Sequence, residues 1–95
     1  MPQFVLFCVD KPDSLPVRLA AREAHLVYLA GYAQEVRLAG PLLDDKGDPA
    51  GSLIVLEAPD IAAARALSAG DPYTLAGLFQ KVDIHPLRIT LGPLA

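Results

Sequence analysis

The stretch SLPVRLAAREAHLVYLAGYA, residues 14–33, decides the fold of this chain. At about 100° of rotation per residue, its apolar residues form one stripe along a helix. The stripe contains Leu15, Leu19, Leu26, Leu29 and Ala33. Because a helix with a single apolar stripe needs a surface to cover, we expect this helix to lie on a sheet.

A flank of the same helix carries Arg18, Arg22 and His25 at spacings of four and three residues. Helix arginines often pack their stems beside an apolar face and leave their heads in water, so the two arginines alone do not define a site. A histidine side chain differs, because its unperturbed pKa of ~6.5 allows proton exchange near neutral pH. His25 is therefore the first candidate for acid–base chemistry.

The rest of the chain alternates apolar runs with clusters of turn-forming residues, which predicts four strands and two further helices. The predicted strands are residues 4–9, 36–43, 51–58 and 79–91, and the further helices are residues 60–70 and 71–77. We expect the first strand to be buried on both faces. The order β-α-β-β-α-β is typical of the ferredoxin-like α+β fold, and residues 1–95 are expected to form a single domain.

Helix starts and sheet edges have local signals of their own. Ser14, Asp60 and Asp71 are predicted N-caps, because each places a side-chain acceptor directly before a helix. The pair Gly40-Pro41 and the residue Pro86 predict edge strands or bulges, since proline cannot donate a hydrogen bond to a neighbouring strand.

Composition excludes several classes of function. Eleven acidic residues against eight basic ones give a net charge of −3, and no basic run or aromatic strand motif is present, so we expect no nucleic-acid binding. Cys8 is the only cysteine, and two histidines show no zinc-ligand spacing, so we expect an inert core thiol, no metal and a reducing cytoplasm. The apolar run at residues 4–9 is too short for a membrane span and lacks the basic start of a signal peptide.

Both faces of the predicted sheet are apolar. Hydrophobic residues make up 53% of the chain, and Val5, Phe7 and Val9 alternate with the residues of the first strand that face the helices. A second copy of the sheet is the simplest cover for this outer face. We therefore expect a homodimer whose two sheets pack face to face.

Several residue clusters, taken in chain order, resemble the YciI-like proteins. The clusters are Asp10-Lys11-x-Asp13-Ser14-Leu15, Arg18-Leu19, Arg22-x-x-His25-Leu26, Ala39-Gly40-Pro41, Gly51-Ser52 and Asp71-Pro72-Tyr73. Each is weak alone, but together they follow the family's order over nearly the whole chain. The resemblance implies the dimeric α+β barrel form of the ferredoxin-like fold.

The resemblance also implies a His/Asp pair as the active site, carried here by His25 and Asp71, with Asp10 as the competing acid. One member type removes chloride from a chlorinated hydroxyhydroquinone, and related α+β barrels include lactone isomerases, which implies proton transfer on small cyclic substrates. A carboxylate bonded to one ring nitrogen would fix the tautomer and leave the other nitrogen as a general base. N-capping is the alternative role for Asp71, and we do not expect one carboxylate to serve both.

Other residues are candidates for binding the substrate. Arg18 and Arg22 can hold an anionic group or stabilise a developing enolate. Tyr28 and Tyr32 follow His25 on the helix, and they either line its pocket or bury helix surface. The pair Gly40-Pro41 is predicted to shape a pocket wall by letting backbone approach closely.

Two hypotheses of different classes follow. The first is a small cytoplasmic enzyme, a homodimer without metal or organic cofactor, that uses His25 for proton transfer in an isomerisation, lyase or dehydrochlorination step. The second is a non-catalytic module that holds a small anionic ligand in the same cleft. The structural observation that bears on the choice is a carboxylate within hydrogen-bond reach of His25 and an open cleft on its other side.

Overall fold

Four antiparallel strands and three helices make up the computed structural model, which describes residues 1–95. The elements are β1 (Gln3–Asp10), α1 (Leu15–Ala30), β2 (Val36–Leu43), β3 (Pro49–Glu57), α2 (Ile61–Gly70), α3 (Pro72–Leu75) and β4 (Phe79–Leu87). The strands lie in the order β2-β3-β1-β4. This is the ferredoxin-like arrangement with α3 added before β4, so the predicted α+β fold is confirmed. None of the helices has the length and apolar composition needed to cross a membrane.

Strand β1 separates two unlike faces of the sheet. Leu6 lies opposite Ile54 and Phe4 lies opposite Leu56, and all four side chains are buried in the core shared with the helices. Phe7 points to the other face and is 43% exposed. The prediction that β1 is buried on both faces is therefore wrong for a single chain, because no part of the chain fully covers the outer face.

Helix α1 packs on the sheet through a different side from the one predicted. Its buried residues are Arg18, His25 and Leu29, whereas Leu19 and Leu26 are 59% and 46% exposed. The prediction that the apolar stripe packs on the sheet is therefore wrong for Leu19 and Leu26. The helix is rotated so that Arg18 and His25 point inward, where both find carboxylate partners.

The predicted caps differ in outcome. Asp60 caps α2 as expected, with its Oδ1 accepting the backbone N–H of Ala63 at 2.8 Å. Ser14 precedes α1 but makes no cap bond, and its hydroxyl donates to the carbonyl oxygen of Pro12 at 3.3 Å. The backbone of Ser14, at φ −105° and ψ 9°, lies outside the extended region that a side-chain cap needs. At its other end, α1 stops at Ala30, three residues before the predicted end.

Strands β2 and β4 are the two edges of the sheet, as Gly40-Pro41 and Pro86 predict. Strands β2 and β3 form the expected hairpin, and the Asp44 side chain accepts two backbone N–H groups of the connecting turn. Strand β4 ends at Leu87, four residues before the predicted end. Because β2 is an edge covered only partly by α1, space remains between them on the helical side of the sheet.

Candidate active site

A cavity of ≈ 220 Å³ lies between α1 and the part of the sheet formed by β2 and β3. The residues that line it are Arg18, Leu19, Arg22, His25, Leu26, Leu29, Ala39, Gly40, Pro41, Pro49, Ser52, Ile54 and Tyr73. Five predicted site residues are in this set, namely Arg18, Arg22, His25, Gly40 and Pro41. Leu19 and Leu26, which were expected to pack on the sheet, instead supply apolar wall.

Asp71 is buried beside His25 and orients its ring. Asp71 Oδ1 lies 2.7 Å from His25 Nδ1, and the two side chains are only 3% and 9% exposed. The same oxygen accepts the backbone N–H of Tyr73 at 2.9 Å, which caps α3. Capping α3 and holding His25 do not exclude each other, because a carboxylate oxygen has two lone pairs and accepts both bonds. Whether capping and catalysis share this carboxylate stays a prediction.

The bond to Asp71 determines which nitrogen of His25 is available for chemistry. With Nδ1 donating to the carboxylate, a neutral ring carries its lone pair on Nε2. Nε2 has no hydrogen-bond partner in the chain. It is partly accessible, because the one side-chain polar atom that is both unpartnered and fully buried is Thr74 Oγ1. Because His25 lines the cavity, a ligand there can reach Nε2.

Arg18 is buried, and its charge is paired with a carboxylate of the protein. Its Nε and Nη2 donate to the two oxygens of Asp10 at 2.8 and 2.9 Å, and Nη2 also donates to Ser52 Oγ at 2.9 Å. Burial opposes the charge, but the bonds to Asp10 outweigh it, so the pKa of Arg18 is raised above its ordinary value. Asp10 is thus the partner of Arg18, and Asp71 is the acid that holds His25.

Arg22 is the cation that remains free at this cavity. It is exposed, it lines the cavity, and it makes no hydrogen bond or ion pair within the chain. Arg22 lies one helical turn from both Arg18 and His25. Of the two arginines predicted to bind an anion, Arg22 is the one whose donors are available to a ligand.

Sequence reasoning assigned no role to Tyr73 and Ser52, although both line the cavity. The Tyr73 ring stacks on the imidazole of His25 with centroids 3.9 Å apart and an interplanar angle of 13°. On the same ring, Arg18 Cζ lies 4.6 Å from the centroid. Two signals were available: Tyr73 follows the Asp-Pro pair that opens α3, and Ser52 is a lone hydroxyl in an apolar strand.

Tyr28 and Tyr32 lie outside the cavity. The Tyr28 hydroxyl donates to the carbonyl oxygen of Leu67 at 2.8 Å, and the ring centroids of Tyr28 and Tyr32 are 5.3 Å apart. Burial, together with the Tyr32 hydroxyl, raises the pKa of Tyr28 to about 12. The contacts of Tyr28 match the alternative role, in which a tyrosine buries helix surface and ties α1 to α2.

The pair Gly40-Pro41 forms part of the cavity wall and is not in close contact with another part of the chain. A Cβ atom built on Gly40 would meet no other atom within 4 Å. No protein group therefore requires a glycine at this position, and the pair lines the cavity, so close approach of this backbone to a ligand stays a prediction. Proline here is accommodated because β2 is an edge strand.

Cys8 is a core residue beneath the site. It is 1% exposed, and burial, with a smaller contribution from the negative charge of Asp71, raises the pKa of its thiol to about 12. The thiol is therefore protonated at neutral pH, and the thiolate is the reactive form of cysteine. No three side chains among His, Cys, Asp and Glu are grouped so that they could hold a metal ion.

Comparison with known proteins places this geometry in a family. The YCII-related domain matches residues 2–88. Protein YciI of Escherichia coli O6:H1 (strain CFT073) is 38% identical over 93 residues, which cover 90% of this chain and 95% of that protein. An uncharacterised protein of Haemophilus influenzae is 36% identical over the same shares of the two chains.

Among solved structures, the 5-chloro-2-hydroxyhydroquinone dehydrochlorinase TftG from Burkholderia phenoliruptrix AC1100, in complex with 2,5-dihydroxybenzoquinone, superposes with a TM-score of 0.83. It is 32% identical, and the match covers 95% of each chain. An antibiotic biosynthesis monooxygenase at 18% identity and a TM-score of 0.56 shares the fold alone. The chain belongs to the YciI family.

Proposed function

We propose that this protein is a cofactor-independent enzyme that uses His25 as a general base in a proton transfer on a small anionic cyclic substrate. The observation that carries the proposal is the 2.7 Å bond between His25 Nδ1 and Asp71 Oδ1, with Nε2 left free at a cavity. Family membership supports an enzyme, because TftG, a similar chain, is a dehydrochlorinase.

Asp71 and His25 have different roles in the proposed proton transfer. Asp71 holds the imidazole in the tautomer with a basic Nε2, and its negative charge stabilises the imidazolium that forms when Nε2 takes a proton. Stacking on Tyr73 limits rotation of the ring. The base is therefore oriented before the substrate arrives, which lowers the reorganisation needed during the reaction.

The cavity favours a substrate with one ring. Its volume of ≈ 220 Å³ is below the range of about 300–1,000 Å³ that is typical of sites for drug-sized ligands. Leu19, Leu26 and Ile54 supply apolar wall, and Arg22 offers a free positive charge. A hydroxylated or keto ring with one ionised oxygen fits these features, and both compounds named with TftG are rings of this kind.

We also propose that the protein works as a homodimer in the cytoplasm. On the outer face of the sheet, Phe7 is 43% exposed and Leu38 is 50% exposed, and both lie beside other apolar residues of β1 and β3. A second sheet would cover this face without closing the cavity on the helical side. The single cysteine, unpaired and buried, is compatible with a reducing compartment.

The proposal is tested by turnover of two probe types. Chloride release is measured with 5-chloro-2-hydroxyhydroquinone, and exchange of acidic C–H protons into D₂O is followed by NMR with small cyclic diketones. We expect His25→Gln to lose about 10²–10⁴-fold in rate, the range of general base assistance. Tyr28→Phe is the control, because its hydroxyl bonds to Leu67 outside the cavity.

The rival hypothesis, a module that only binds its ligand, makes a different prediction for the same variants. It predicts ligand binding without turnover in the wild type and no rate difference between His25→Gln and Tyr28→Phe. Equal rates in a folded His25→Gln protein and the wild type would exclude His25 as the base.

A further inference from the structure

Tyr73 lies between the two buried residues of α1 that carry the chemistry of the site. Its ring centroid is 3.9 Å from that of His25 and 4.6 Å from Arg18 Cζ. His25 and Arg18 are seven residues apart on one helix, about 10.5 Å along its axis, so a ring at these two distances fits between them. The side chain is only 2% exposed. The edge of Phe79 also packs on the ring, with centroids 6.0 Å apart, and the backbone N–H of Tyr73 is bound to Asp71, so the position of the ring is fixed from several sides.

The hydroxyl proton of Tyr73 has no acceptor within the chain. No hydrogen bond of good geometry reaches the hydroxyl oxygen, but the Arg18 guanidinium lies close enough to act as a donor to that oxygen and lowers the pKa of the phenol. Arginine has no acceptor, so the proton of the hydroxyl remains free for a ligand. Tyr73 lines the cavity, and its hydroxyl is the polar group that it can present to a ligand there. A buried tyrosine hydroxyl usually has a partner, and here a ligand in the cavity can supply one.

The ionisation state of Tyr73 suits a donor. Burial raises the pKa of the phenol above its ordinary value and outweighs the charge and hydrogen bond of Arg18 and the charge of Arg22, which lower it. At neutral pH the hydroxyl is therefore neutral and carries its proton. A neutral phenol within the field of two guanidinium groups can donate to a negatively charged oxygen that the same cations attract.

We propose that Tyr73 is a further catalytic residue, whose hydroxyl donates a hydrogen bond to the substrate oxygen on which negative charge develops. In the step that rests on the proposed function, a C–H bond next to a carbonyl breaks and its proton forms a new bond to His25 Nε2. The electron pair of the C–H bond forms a C=C bond, and the carbonyl π pair moves to oxygen. The Tyr73 hydroxyl and the Arg22 guanidinium bind the resulting oxyanion.

The test uses 2,5-dihydroxybenzoquinone as the probe, because its acidic ring hydroxyls ionise to oxyanions and its absorbance allows a direct titration. Tyr73→Phe retains the ring that stacks on His25, and Arg18 keeps its bonds to Asp10 and Ser52 when the hydroxyl is removed. We expect Tyr73→Phe to bind the probe about 10- to 100-fold more weakly, the loss of one hydrogen bond to a charged group. The free energy of unfolding should not change.

Tyr28→Phe is the matched control, because it removes a hydroxyl that bonds to Leu67 outside the cavity. This variant should bind the probe as tightly as the wild type. Equal affinity of Tyr73→Phe and the wild type, or no binding by the wild type, would overturn the assignment. The base role of His25 is measured separately by the rate of His25→Gln, so either proposal can fail while the other stands.

Discussion

Asp71 and His25, 46 residues apart in the chain, are joined by a 2.7 Å bond between Asp71 Oδ1 and His25 Nδ1. Because the same oxygen caps α3 through the backbone N–H of Tyr73, one side chain controls both the start of a helix and the orientation of an imidazole. The position of Tyr73 against the His25 ring depends on the same atom.

Replacing Asp71 by Asn or Ala separates these two roles. Asn caps a helix about as well as Asp, so Asp71→Asn should leave the free energy of unfolding nearly unchanged, whereas Asp71→Ala should lose ~1–2 kcal/mol. Both variants should lose roughly 10²–10⁴-fold in rate, because neither carries the charge that stabilises an imidazolium. Denaturant unfolding and the turnover assay measure the two effects.

The orienting role of Asp71 can be tested without a substrate, by ¹⁵N NMR of the imidazole in the wild type and the same variants. The wild type should hold the Nδ1–H tautomer, and Asp71→Ala should show a mixture of tautomers. A single unchanged tautomer in Asp71→Ala, together with the wild-type rate, would contradict the orienting role.

Replacing each of the two arginines of α1 by Met should have a different effect, one on stability and the other on binding. Arg18→Met leaves the buried Asp10 carboxylate without a partner and should cost ~3–5 kcal/mol in the free energy of unfolding. Arg22→Met removes an exposed side chain, so it should change stability by less than about 0.5 kcal/mol and weaken binding of an anionic probe by ~1.5–3 kcal/mol.

The double variant Asp10→Leu/Arg18→Met is the control for the buried pair. Replacing both charges by apolar groups should recover most of the lost stability, because no unpaired charge remains. Equal losses of stability in Arg18→Met and Arg22→Met would contradict the different roles assigned to the two residues.

A charge on the outer face of the sheet should disrupt the proposed homodimer. We expect the wild type to sediment at twice the chain mass of 10.1 kDa and Phe7→Asp to sediment as a monomer or fail to fold. Leu75→Asp is the control, because Leu75 is 74% exposed on α3, away from that face. A wild-type monomer at micromolar concentration would refute the dimer.

Cys8 should resist alkylation in the folded protein. Its thiol pKa is about 12 in the fold against 9.0 for the ordinary value, so at pH 8 the folded protein holds a thiolate fraction of roughly 10⁻⁴. Iodoacetamide labelling followed by mass spectrometry should be slow in buffer and fast in denaturant. Rapid labelling of the native protein would contradict this environment.

The raised pKa of the Cys8 thiol also predicts how the free energy of unfolding depends on pH. The folded state retains the thiol proton more strongly than the unfolded state, so the contribution of Cys8 is complete below pH 9 and is lost as pH rises toward 12. Cys8→Ala should therefore show a weaker fall in the free energy of unfolding over this range than the wild type.

The sequence by itself determined the features that depend on neighbours within a few residues. Strand β2 was predicted with its observed bounds, Asp60 caps its helix as expected, and Gly40-Pro41 and Pro86 mark the edge strands. These features follow from backbone geometry, in which a proline or a capping oxygen acts on groups next to it in the chain. The order of the elements then restricts the fold to few topologies.

Tertiary structure alone decided how α1 is rotated and which groups meet. Exposing part of Leu19 and Leu26 costs less than leaving Arg18 and Asp10 apart, since a buried charge without a partner costs several kcal/mol. The rotation brings Arg18 and His25 inward and leaves the two leucines to line the cavity. The bond from His25 to Asp71 depends on the packing of α1 against α3, which no local pattern in the sequence encodes.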